Sequence, residues 1–176
     1  MKRFILILIG FAFLIVVIGF MTIQYYDSKN IDYKPKITKA LIDSLINQNN
    51  RDSIIDPTKS VYLDLIRDYK FPEKYVDRII VQRTYNPIDI LFPKVLSKLQ
   101  MDALIGFLND TTRFDWAETT FDKVDYLVIF YNNDKIVAKL DIGIDCMTID
   151  CIPINPRLKY GRLSERSLNE LIKIIK

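Results

Sequence analysis

The first stretch of this chain constrains it more than any other. Phe4 to Ile23 reads FILILIGFAFLIVVIGFMTI, twenty residues without a charged side chain, preceded by Lys2 and Arg3. As a helix rising 1.5 Å per residue it would be about 30 Å long, which matches the hydrocarbon thickness of a bilayer. The run exceeds the roughly 7–15 apolar residues of a cleaved export signal. Bulky residues also occupy its end and the residues beyond, Phe20, Met21, Ile23, Tyr25 and Tyr26, where a signal peptidase needs small ones. Tyr25 and Tyr26 fall where an aromatic interface belt belongs. The expectation is an uncleaved signal-anchor over residues 1–26, a single-pass transmembrane helix whose direct partner is the lipid bilayer. Lys2 and Arg3 abut the run, whereas Lys29, Lys34, Lys36 and Lys39 beyond it are diluted by Asp27 and Asp32. That asymmetry places the N-terminus inside and the rest of the chain outside the cytoplasm.

Residues 27–36 then read as a juxtamembrane spacer ending near Pro35, and residues 37–176 as one extracytoplasmic α+β domain. A domain of about 150 residues can bury a core of its own. Of 25 basic and 22 acidic residues, only Lys2 and Arg3 lie in the anchor, which leaves 23 against 22 in the remainder. So balanced a domain lacks the basic excess of a nucleic-acid binder, and no nucleic-acid partner is expected. The C-terminal basic residues from Arg157 to Lys176 read as a solvated helix face. Histidine is absent from the sequence. Ser-His-Asp and Cys-His catalysis and His-ligated metals are thereby excluded, and any catalysis would rest on carboxylates, Lys, Tyr or Cys.

Along the domain, Thr38–Asn47 carries Ala40, Leu41, Leu45 and Ile46 at helical spacing. Asp56-Pro57 is an N-cap with Pro at the first helical position, opening a second helix that ends near Lys70. Arg78–Tyr85 is a strand, and Ile88–Val95, interrupted by Pro93, reads as irregular structure packed on the core. Ser97 and Gln100 form a capping box for a helix with Met101, Leu104, Ile105 and Leu108 on its apolar face. Residues 110–123 read as a loop. Val124–Tyr131 and Ile136–Asp145 make a β-hairpin turned at Asn132-Asn133-Asp134-Lys135, since Asn and Asp tolerate positive φ. After Pro153 and Pro156 the chain runs irregularly to Gly161, and Ser164 opens a last helix. The expected fold is α+β: an N-terminal transmembrane helix followed by one small domain with a short antiparallel sheet covered by helices.

Candidate sites are few. Cys146 and Cys151 are spaced C-x4-C without a second pair, which is half a zinc site at best. In an exported domain they read as a structural disulfide, with two buried thiols as the alternative. Asp141, Asp145 and Asp150 do not follow a calcium-loop pattern, so no metal or cofactor is expected. Phe114, Asp115, Trp116 and Glu118 form the candidate binding segment. Its tryptophan could anchor a partner or close one end of the core. Asp115 and Glu118 are also the one carboxylate pair on offer for hydrolysis.

Leu96-Ser97-Lys98-Leu99-Gln100, Leu108-Asn109-Asp110-Thr111, Trp116-Ala117-Glu118-Thr119, Val128-Ile129-Phe130-Tyr131 and Leu163-Ser164 together resemble a group of small uncharacterised bacterial exported or membrane-anchored proteins. The resemblance covers the C-terminal half and implies location and a coherent fold, without chemistry. The function expected is a membrane-tethered, non-catalytic domain binding a protein or envelope partner outside the cytoplasm. The alternative is a carboxylate-based hydrolase acting on cell-envelope material.

Overall fold

The computed structural model describes residues 70–117, 123–155, 158 and 161–176, with Gly10, Phe11, Phe13, Leu14 and Val17 of the N-terminal run. The expected helices at 38–47 and 56–70 fall on residues outside that set, apart from Lys70. The expected transmembrane helix is corrected: among the described residues no helix is long and apolar enough to cross a membrane. The five residues described in the apolar run are helical, and Phe11, Phe13 and Leu14 are exposed rather than part of the core.

The expectation of a short sheet is overturned. Seven strands are described: β1 (Arg78–Arg83), β2 (Lys94–Val95), β3 (Phe114–Trp116), β4 (Tyr126–Asn132), β5 (Lys135–Gly143), β6 (Thr148–Ile152) and β7 (Gly161–Leu163). They form one antiparallel sheet in the order β2-β1-β4-β5-β6-β7-β3. Among the described residues three helices accompany it, α1 (Pro87–Leu91), α2 (Lys98–Asn109) and α3 (Glu165–Ile175), with a 3-10 turn at Thr111–Arg113.

The hairpin β4–β5 is the centre of the sheet. Asn133 and Asp134 both take positive φ, 48° and 61°, the geometry of a tight turn whose twist matches the strands. The turn is held to β1, where Asn133 N donates to Asp77 Oδ2 at 2.6 Å and Arg78 pairs with Asp134 at 2.7 Å. Register then sorts side chains by face. Val81, Val128, Leu140 and Cys151 line up across β1, β4, β5 and β6 on one face, with Ile79, Phe130, Ala138, Ile142 and Ile149 beside them. Met101, Leu104, Phe107 and Leu108 of α2, and Leu168, Leu171 and Ile175 of α3, bury in the same cluster. Phe71 closes it, edge-on to Phe130 at 5.5 Å.

Both long helices begin with sequence-encoded caps. Ser97 Oγ accepts from Gln100 N at 3.3 Å while Gln100 Oε1 accepts from Ser97 N at 3.2 Å. Ser164 Oγ accepts from Ser167 N at 3.1 Å. The helices are tied together where α2 starts and α3 ends: Gln100 Nε2 donates to the Ile174 carbonyl at 2.9 Å. At the other end Arg113 bridges Asp110, at 2.9 Å, and Glu170 of α3.

Candidate binding surface

The segment expected to bind a partner is partly absorbed by the fold. Phe114 is buried and meets Phe107 at 6.1 Å, edge-on, so it is a core side chain. Asp115 is exposed on β3, directly opposite Arg162 of β7, where opposite charges favour the pairing. The Trp116 side chain and Glu118, one half of the candidate carboxylate pair, lie outside the described residues. Asp115 also lines an open depression of about 500 Å³ with Met147, Arg162 and Glu165.

The disulfide expectation is corrected. Neither cysteine is in a disulfide. Cys146 sits in the β5–β6 turn with its sulfur 2.8 Å from Thr148 Oγ1, whereas Cys151 is buried on β6 and its sulfur accepts from Asn155 N at 3.2 Å. Thr148 and Cys151 are three strand residues apart, roughly 10 Å at 3.3 Å each, and Cys146 lies before that. A bridge needs Cα atoms within about 7 Å.

Asp141, Lys139 and Asp150 meet on the face of the sheet opposite the helices. Asp141 is directly across from Asp150, and Lys139 Nζ lies 3.2 Å from Asp141 Oδ2. Burial pushes the Asp141 carboxyl above its ordinary value; Lys139 opposes the shift and Asp150 adds to it. Gln82 shares this face and row, with its Oε1 buried and unpaired. No group of three or more His, Cys, Asp and Glu side chains among the described residues could hold a metal ion.

A different surface stands out. Tyr85, Ile88, Phe92, Val95 and Leu99 are all large, apolar and more than half exposed, with Phe92 at 77 % and Leu99 at 80 %. All five lie on the fifteen residues that carry α1, β2 and the start of α2. Asn86 creates this arrangement: its side chain accepts from Ile88 N at 3.0 Å, and Pro87 takes the first helical position. The segment expected to be irregular and core-packed is therefore a short helix and an edge strand with apolar side chains in water. Asn86-Pro87 repeats the signal read at Asp56-Pro57 and could have revealed the helix.

Behind Phe92 is a cavity of about 320 Å³ between β1, α1 and the end of α3, lined by Arg83, Asp89, Lys94, Tyr126 and Ile175. The Arg83 guanidinium lies 5.9 Å from the Tyr126 ring and pairs with Asp89 at 3.3 Å. Lys94 Nζ donates to the Lys176 carbonyl, closing the far wall. On the α2 side Lys98 pairs with Asp102 at 2.9 Å, which holds its ammonium above the usual range, and Tyr75 adds to that shift. What this arrangement offers is an apolar contact area, a recess beside it and a cationic border. No protein-family model, curated protein or solved structure matches the chain.

Proposed function

We propose that this domain is a non-catalytic binding module for a protein partner, and that the partner seats on the surface formed by residues 85–99. The observation that carries the reading is the concentration of five exposed large apolar side chains on one segment flanking an open sheet edge. Single exposed apolar residues are ordinary on a soluble domain, but several carried on one short segment, one of them lining a recess, are the kind of feature that marks an interaction site. The recess behind Phe92 gives a partner side chain somewhere to be desolvated, as binding hot spots require. Hydrolysis has weaker support, since Asp115 lies opposite Arg162 and Asp141 is paired with Lys139.

A photo-crosslinking residue in place of Phe92 tests the proposal, with a second placed at Asn133 on the exposed hairpin turn as the control. A discrete adduct in the source cells from position 92, absent from position 133 and lost on adding Ile88→Asp, is the expected outcome. Equal labelling from both positions, or none from position 92, overturns it.

A further inference from the structure

We propose that the surface over residues 85–99 docks an acidic, amphipathic protein segment, with its apolar side chains on Ile88, Phe92 and Leu99 and its carboxylates against Lys94, Lys98 and Lys176. This rests on the protein-binding reading above and adds the chemistry of the partner. Two observations place the cations. Lys94 bonds the Lys176 carbonyl, and Gln100 bonds the Ile174 carbonyl, so the last turn of α3 is drawn against β2 and the start of α2. Arg83, Lys94, Lys98 and Lys176 thereby border the apolar side chains. Among the described residues, the carboxylates paired with these cations are Asp89, engaged by Arg83, and Asp102, engaged by Lys98. The border is thus net basic, and a partner presenting Asp or Glu beside its apolar residues complements it.

The same charges argue against a second copy of the chain. A two-fold interface would set this basic border against itself. They also combine with the backbone to select the mode of docking. Because Leu96 N donates to the Ile79 carbonyl, the alternation of an antiparallel ladder turns the amide groups of Val95 toward the open edge. β2 is only two residues long, however, and Pro93 before it has no N–H to offer. Strand addition would gain few hydrogen bonds, so the segment is held by side chains, as an amphipathic helix lies on a groove.

The test uses the full chain in mild detergent and a labelled synthetic peptide of about 15 residues, long enough for four helical turns, with Leu and Phe on one face and Glu on the other. A version with Lys for Glu and a scrambled acidic version serve as comparators, and binding is read by fluorescence anisotropy. The acidic amphipath should bind at least about tenfold more tightly than either comparator, and its affinity should fall as salt is raised. Phe92→Asp and the pair Lys94→Glu/Lys98→Glu should each weaken it by about tenfold or more, whereas Ile152→Asp, on another strand, should not. These side chains lie at the surface, and unchanged melting curves will show that the variants fold. Equal binding of the acidic and basic peptides, indifference to Phe92→Asp, or a dimer in sedimentation overturns the proposal. If crosslinking from position 92 succeeds while the peptides do not discriminate charge, the protein-binding reading stands and the acidic partner falls.

Discussion

Asp141 shows how a single side chain can be set against the state it is normally in. Its carboxyl is largely enclosed on the sheet, so charge is disfavoured; Lys139 recovers part of that cost, while Asp150 across the ladder adds to it. The folded chain therefore holds the proton to a higher pH than the unfolded chain does, and this group's contribution to stability declines as pH rises from the ordinary 3.8 through the raised value. Asp141→Asn removes that decline. The melting temperature of the variant, relative to the parent, should rise across that window and then level off; a difference that stays flat would refute the assignment. Asp110 works in the opposite sense, since bonds from Thr112 and Arg113 hold its carboxyl below the usual range. At this scale the sequence marks which residues can ionise, but not which are enclosed. Asp141 reads as a solvated strand carboxylate until the register is known.

Elements were legible where their signals are local. The capping box at Ser97 and Gln100 and the cap at Ser164 stand where the sequence puts them. Ser97→Ala should cost about 1 kcal/mol in urea unfolding, with no change in the slope of the transition. A loss below the detection limit would mean that the tie from Gln100 to Ile174, rather than the cap, holds this end of α2. The elements missed were those whose signals are weak. β6 is reached through a turn that places Met147 at φ 54°, a conformation for which a sequence normally advertises Gly, Asn or Asp. β3 and β7 are three residues each, too short for periodicity to register. Their pairing, Phe114 with Leu163 and Trp116 with Gly161, joins segments some fifty residues apart, and only the folded sheet brings these together.

For the whole molecule, the sheet order places β4 and β5 among the interior strands and leaves β2 and β3 at the two edges of the described sheet. Val128, Phe130, Ala138, Leu140 and Ile142 are completely buried. Stability should be distributed accordingly, because opening the centre requires losing the shared core, whereas an edge can open by itself. Native-state hydrogen exchange should show amides of β4 and β5 exchanging only by global unfolding and those of β2 and β3 well before it. Comparable protection throughout would contradict this gradient. The open edge at β2 is also where the exposed apolar residues collect, so the least protected margin of the sheet coincides with the proposed docking surface.

The sequence by itself determined what depends on neighbours along the chain: the central hairpin and its Asn-Asp turn, the helix caps, the absence of histidine chemistry, and an N-terminal run too apolar to favour water. Tertiary structure decided what depends on partners far away. It made Phe114 a core residue, kept Cys146 and Cys151 apart, enlarged the sheet to seven strands and left Ile88, Phe92 and Leu99 facing solvent. The reason is physical. Turn and cap preferences act over a few bonds, whereas burial is assigned only when the strands pair and one face of each is chosen for the core.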